Sequence, residues 1–470
     1  MGQGEKDAIP VCIGYSTALA FWLSAGYAEN TRYMLIDHPF ALADGIATLN
    51  QARRTDLSQI YPPGVRGIRT HVLVDRFVHA GKSSHIENRI KLPAVSIEPR
   101  GADGRGMTPG AIPCGNRMFR EIVCHEWPKS SPANSFVWLG GTVCIATPAL
   151  TVVMAATQLG APETVEIINA LYGSYAIDGR GKLVPRTPIL TPKTLWAYLD
   201  AAPIDLPGII RARKAAALAL PGAESPKEAA IAAVMRCDAQ SGGGGLRRLT
   251  LNHEIGLTAE ARAFVDTKSI RFDGFVGPTR SHVKQQPVAY DFDSIMFHAG
   301  DYYRFGSGAP GEELADRIDG RDAINKDSRR KSCALEMGVI DVTLTTDDVA
   351  DRTIFYAKVS QIRRLSGMRE LPRGKDAEGR RKELHGLMLN SLRFLLRPEE
   401  RLDRAMQVRA ERQRLAQLQR KKKCTRFPRY RKAPLAALLD FGGVRGFASK
   451  NGLVPADAFA FGEEPVLKSA

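Results

Sequence analysis

Cysteine is sparse in this chain and never paired. Cys12, Cys114, Cys124, Cys144, Cys237, Cys333 and Cys424 are scattered, odd in number and include no C-x-x-C. That argues against a zinc ribbon or a disulfide framework and for a reducing, cytoplasmic setting. Cys12, Cys144 and Cys333 lie in apolar runs and read as core. No internal repeat is present. Long unbroken apolar runs are also missing. The stretch from Ile9 to Ala28 has the look of a signal-peptide core, but Glu5, Lys6 and Asp7 ahead of it are net acidic, whereas a secretory leader begins basic. A strand and a helix explain it better, with Ser16 as N-cap, Thr17 to Ala25 as the helix and Gly26 after its end. From Ser130 to Pro162 there is no charge, yet Gly140-Gly141 and Pro148 interrupt it. A spanning helix needs ~20 predominantly apolar residues without such breaks. Phe136–Leu139 and Thr142–Ala146 therefore read as a hairpin, and no membrane partner is expected.

Positive charge is plentiful. Sixty-six Lys and Arg face 50 Asp and Glu, a net charge of +16. Such a balance bears on partners more than on fold, and nucleic acid is the first candidate. At 470 residues the chain is long for one core. The composition divides it into an α+β region at 1–200, a helical linker at 201–221, a region at 222–350 and a helical, basic extension at 351–470. Short strands are expected at His71–Val74, Ala94–Ile97 and Glu121–Cys124, with helices near 149–159 and 163–172. Gly242 to Gly245 read as a flexible loop or hinge.

Residues 222–350 hold the chemistry. Ser225, Pro226 and Glu228 open a helix as cap, first residue and capping-box partner. Ile270–Val276 and Pro287–Asp293 are apolar runs of strand length, and each carries acid, at Asp273 and at Asp291 and Asp293. A helix from Asp327 ends at Gly338, and Val339–Leu344 is the next strand. Asp291 and Asp293, two apart, share one face of a strand. His298 lies just beyond, with an ordinary pKa suited to acid or base work. Asp327 and Arg330 fall on one helix face, where Arg330 can contact a phosphate or simply pair with Asp327. Taken singly, each of these residues has an unremarkable explanation as a strand-end acid, a cap or a surface ion pair. Their order raises a different one. Hydrolysis of a phosphodiester near neutral pH calls for a metal that activates water, and Mg²⁺ takes carboxylates from one or two residues.

This order resembles the restriction-endonuclease-like PD-(D/E)XK nucleases, and within them the group similar to very-short-patch-repair endonucleases. The carrying residues are Asp273, then Asp291-Phe292-Asp293-Ser294, then His298, then Asp327-x-x-Arg330, then Gly338 and the strand after it, with Glu228 matching an acid on an early helix. The resemblance covers about residues 222–350. It implies an α/β chain of several domains, with a mixed sheet flanked by helices in the C-terminal half. It further implies DNA cleavage dependent on Mg²⁺ or Mn²⁺ held by Asp273 and Asp291. Asp293 would assist, His298 would act as acid or base, Glu228 as an auxiliary carboxylate, and Arg330, oriented by Asp327, as a phosphate contact. Two departures stand out. Asp291 occupies a position where the family usually has Glu, and Asp293 fills the slot of the lysine. A non-catalytic, DNA-binding regulator of antitoxin type is the alternative these departures leave. Ser16-Thr17-Ala18-Leu19, His71-Val72-Leu73-Val74 and Thr147-Pro148 weakly resemble antitoxin-like modules of abortive-infection systems, which implies a nucleic-acid or protein partner for residues 1–200.

Residues 401–435 carry thirteen Lys or Arg against two acids. Arg420, Lys421, Lys422 and Lys423, then Arg426, Arg429, Arg431 and Lys432, form a cluster expected to contact phosphates. Such contact gives affinity that falls steeply with salt and carries no sequence information. A solvated charge run is the plain reading beside it.

Overall fold

Strand β1 (Val11–Ile13) is fully buried and leads directly into helix α1 (Tyr15–Leu23). The helix starts two residues before the sequence suggests. Gly14 is the cap, and Ser16, expected as the cap, is inside the helix with its hydroxyl buried and without a hydrogen bond. Gly14 is extended and closely packed: a β-carbon there would press Met154 and Leu73 at 3.1 and 3.2 Å. Tyr15 follows with φ 50 and its ring stacks on His125 at 3.9 Å.

The computed structural model describes residues 11–24, 34–36, 70–74, 88–93, 111–114, 117–126, 130–140, 142–177, 183–277, 286–293 and 328–390. All lie in the first of two units, Met1–Gln407 and Val408–Ala470. Around β1 run β2 (Met34–Ile36), β3 (Thr70–Val74), β4 (Asn88–Pro93), β5 (Ala111–Cys114), β6 (Arg117–Glu126), β7 (Phe136–Gly140) and β8 (Val143–Ala146). They form one mixed sheet in the order β2-β7-β8-β1-β3-β6-β4, with β5 also on β6. The β7–β8 pair is the hairpin expected from the sequence, turning where Gly140 adopts φ +106. Cys12 and Cys144 are register partners on parallel β1 and β8, both free and buried. The expected strand at Ala94–Ile97 lies outside the described residues. Among those described, no helix is long and apolar enough to cross a membrane.

Helices α1 and α2 (Pro148–Gln158) pack on this sheet, and α3 (Ala161–Leu171) packs on both of them; Trp22 of α1 donates its indole N–H to the Ala146 carbonyl at 2.8 Å. A small pair, β9 (Tyr175–Ile177) and β10 (Leu183–Pro185), precedes α4 (Pro192–Ala201) and α5 (Ile209–Ala216). Next comes α6 (Pro226–Arg236), capped by Ser225 as the sequence indicates. Buried Asn169 of α3 donates to the Ala229 carbonyl of α6 and accepts from Leu220 N–H. A buried amide without these partners would cost about 1–3 kcal/mol, so this residue fixes α6 against the N-terminal helices.

The second sheet has four strands in sequence order, β11 (Leu249–Gly256), β12 (Ser269–Val276), β13 (Val288–Asp293) and β14 (Ile340–Thr345). The first three pair antiparallel and β14 runs parallel to β13. Helix α7, residues 328–336, is the crossover from β13 to β14 and ends where Gly338 takes φ +69. Hydrophobic residues divide into two clusters. Val276, Val288, Tyr290, Val342 and Leu344 join α6 and the N-terminal core, whereas Phe272, Ala289, Cys333 and Ala334 join α7 to the sheet. A mixed sheet with helices against it is therefore present. Strand β11 was missed from sequence because its L-T-L-N-H-E-I-G pattern buries only Leu249 and Leu251.

Helices α8 (Thr346–Ala350), α9 (Arg352–Leu365) and α10 (Lys375–Leu389) complete the described chain. They settle the four glycines differently from expectation. Gly242, Gly243 and Gly244 are buried, and a β-carbon at Gly243 or Gly244 would meet the Cys237 and Met235 carbonyls at 2.2 and 2.7 Å. Arg363 donates to the Gly244 carbonyl and Tyr356 to that of Gly242. The run is a close-packed seat for α9 and α10, where only glycine leaves room for the approaching backbone. Gly274 does similar service within the sheet: its β-carbon would sit 2.0 Å from Cε1 of the buried Tyr290 ring. Gly274→Ala is expected to cost about 3 kcal/mol, read as a lower urea midpoint with unchanged slope.

Candidate active site

Alternation along β12 buries Ile270, Phe272, Gly274 and Val276 and leaves Arg271, Asp273 and Phe275 at least partly exposed. Strand β13 pairs with it through Val276↔Val288, Phe275↔Ala289 and Gly274↔Tyr290. Asp273 and Asp291 are the next residues along, and there side chains replace the ladder. The Asp273 backbone N–H donates to Asp291 Oδ1 at 3.2 Å, and the Phe292 N–H donates to Asp273 Oδ2 at 2.7 Å. On the other edge of β12 the pairing also skips Asp273, because Asn252 opposite it takes φ 47. Asn tolerates that left-handed conformation better than most residues. The strand pair is thus locally opened, with two carboxylates reaching across the gap.

Two helices complete the arrangement. From α7, Arg330 Nη2 donates to Asp291 Oδ1 at 2.9 Å and also to the Arg271 carbonyl, while its guanidinium lies 5.3 Å from the Phe272 ring centre. From α6, Glu228 is held by two donors, the Ser225 hydroxyl at 2.8 Å and the Glu224 N–H at 2.9 Å. Glu224 in turn pairs with Arg271 at 2.7 and 3.0 Å. A chain of contacts therefore runs from the α6 cap through Glu224 and Arg271 to Arg330 and Asp291.

The electrostatics show that these acids share one field. Burial pushes the Asp291 carboxyl up to about 7; Arg330 opposes the rise, and Asp341 and Asp273 add to it. Burial likewise pushes Glu228 up to about 7, and Asp273 adds to that. Asp341 acts on Asp291 because β14 runs beside β13 in register, Ala289 against Asp341 and Asp291 against Thr343. Register partners lie on the same side of a sheet, and so do residues two apart. Asp291 Oδ2 makes no hydrogen bond among the described residues.

Of the residues singled out in the sequence, Asp273, Asp291 and Arg330 meet here, and Glu228 on α6 lies within electrostatic reach of Asp273. Asp293 takes its place in β13 opposite Thr345, with its side chain outside the described set. His298, Asp327 and the basic cluster from Arg420 to Lys432 also lie outside the described residues. Arg330, expected beside Asp327, spends its hydrogen bonds on Asp291 and the Arg271 carbonyl. Sequence reasoning passed over Asp341, Arg271 and Glu224. Asp341 was legible in principle: I-D-V-T-L-T alternates, which sets Asp341 and Thr343 on one face of the strand that follows Gly338. Arg271 and Glu224 gave no such signal, since their role comes from a contact 47 residues apart in the chain.

Among the described residues, no group of three or more His, Cys, Asp or Glu is arranged to hold a metal ion. No protein-family model, no curated protein and no solved structure matches the chain.

Proposed function

We propose that the region from Ser225 to Thr345 is a divalent-metal-dependent DNA endonuclease site with a restriction-endonuclease-like fold. The observation that carries this is the reciprocal bridge between Asp273 and Asp291 across neighbouring strands, with Glu228 close enough to feel Asp273. The helix, strands, crossover helix and parallel strand follow in the order that the sequence resemblance implies.

The donors suit a hard cation. Burial first and neighbouring acids second raise Asp291 and Glu228, and among the described residues Asp291 keeps an oxygen clear of hydrogen bonds, the situation a Mg²⁺ or Mn²⁺ ion would relieve. Asp273 and Asp291 would hold it, and when bound it would activate water and stabilise charge on the phosphoryl oxygens. The protein's own groups do the rest. Burial keeps Glu228 poised to take or return a proton near neutral pH. Arg330 offers a guanidinium beside the carboxylates for the phosphate. His298 is assigned acid or base work, Asp293 an assisting role and Asp327 the orientation of Arg330. The basic cluster at 420–432 is assigned phosphate contact that supplies affinity for DNA.

An antitoxin-type regulator with a decayed nuclease fold is the second reading, favoured by the guanidinium already seated on Asp291. Metal separates the two. Wild-type protein is expected to nick supercoiled plasmid with Mg²⁺ or Mn²⁺ and to stop with EDTA or with Asp273→Ala. Absence of nicking, together with a gel shift indifferent to EDTA, would favour the regulator.

A further inference from the structure

We infer that Arg330 is a resident competitor for the cation at Asp291: ion binding displaces its guanidinium, which is then free to capture the scissile phosphate. This rests on the nuclease reading above and adds a coupling between metal loading and substrate capture.

The geometry argues for exchange. Asp291 Oδ1 accepts two donors, the Asp273 N–H at 3.2 Å and Arg330 Nη2 at 2.9 Å. The first is fixed in the backbone of β12, so only the second can leave. Arg330 is a poor permanent partner. One nitrogen serves both Asp291 and the Arg271 carbonyl, while Nε is shut off from solvent and has no hydrogen bond among the described residues. A guanidinium has five N–H donors, so most of its capacity is unspent in this pose.

The pair is also accessible, with 32% of the Arg330 side chain and 18% of the Asp291 side chain exposed to solvent. An ion pair that solvent reaches in part can also be reached by a competing charge. A cation held by Asp291 would share that carboxylate with the guanidinium and repel it, because like charges oppose each other strongly in a partly desolvated site. Arg330 has somewhere to go. It sits on α7 with its guanidinium 5.3 Å from the Phe272 ring centre, and its long, flexible stem lets that head swing away from the carboxylate. Released, the planar fork presents paired donors of the kind that suit a phosphodiester.

The test is Mn²⁺ binding by titration calorimetry, on full-length protein and without DNA. Arg330→Gln is expected to bind Mn²⁺ about fivefold more tightly than wild type, the ratio a weak ion pair allows. Arg330→Lys, which keeps the charge, should stay near wild type. With Ca²⁺ to prevent turnover, Arg330→Gln should bind a short DNA duplex more weakly. Equal or weaker Mn²⁺ affinity in Arg330→Gln would overturn the competition. If that variant does not fold, the Arg330 Nε–H resonance of wild type, assigned with Arg330→Lys, serves instead. It should shift during a Mg²⁺ titration in step with binding, and a resonance that stays fixed while Mg²⁺ binds overturns the inference. Failure of the nuclease reading is distinguishable: neither protein would bind Mn²⁺, or Asp273→Ala would bind it as well as wild type.

Discussion

Asp291→Asn is expected to abolish cleavage, a loss on the order of 10³-fold or more, while DNA binding survives or tightens. The substitution is nearly isosteric. Its amide oxygen still accepts from the Asp273 N–H and from Arg330, so the local bridge between β12 and β13 persists. What is lost is the negative charge that holds a cation. What is gained is relief from repulsion, since Asp341 and Asp273 both act against an ionised Asp291. A polyanion approaching this face meets one less negative charge, which accounts for the binding result. Plasmid nicking with Mn²⁺ and a gel shift on the same preparation measure both halves. Nicking at the wild-type rate would remove Asp291 from the site.

The second large effect is on stability against pH. In the folded chain Asp291 and Glu228 titrate at about 7, raised from about 3.8 and 4.5. A raised carboxyl binds its proton more tightly in the fold than in the unfolded chain. Its contribution to stability is therefore complete below the unfolded value near pH 4 and disappears as pH rises through 7. Taken alone, Asp291 is worth about 4 kcal/mol and Glu228 about 3 kcal/mol, less when the pair is coupled. Other groups pull the opposite way: buried His125, lowered to about 3, costs stability as pH falls below 6.5. The informative quantity is thus a difference. The melting temperature of Glu228→Gln/Asp291→Asn should match wild type near pH 4 and exceed it by several degrees at pH 8, from which His125 cancels. Adding Mg²⁺ at pH 8 should close the gap by stabilising wild type alone. A gap that is constant across the range would mean these carboxyls are not held protonated.

Several parts of this fold were legible residue by residue. Ser225-Pro226-x-Glu228 announced the start of α6, and Gly338 the end of α7, because caps and left-handed turns depend on a few adjacent atoms. The β7–β8 hairpin followed from an apolar run broken by glycine. The four glycines misled for a related reason. Locally they signal freedom, but α9 and α10 pack upon them, and the missing side chains leave space for Arg363 and Tyr356 to reach the backbone. Ser16 misled too: the helix begins at Tyr15, and Gly14 before it packs closely against Leu73 and Met154, neighbours far off in the chain.

By itself the sequence determined the spacing of acids along β12 and β13, the alternation that faces them one way, and the helix that brings an arginine after them. These are short-range consequences of backbone period and chain order. Tertiary structure alone decided that Asp273 and Asp291 would bridge one another, that Asp341 and Glu228 would share their field, and that Arg330 would choose Asp291. Those outcomes depend on register between strands and on the packing of α6 and α7. Register and packing are set by the whole apolar core, because one residue of slip in β12, β13 or β14 would turn that strand's acids to the other face.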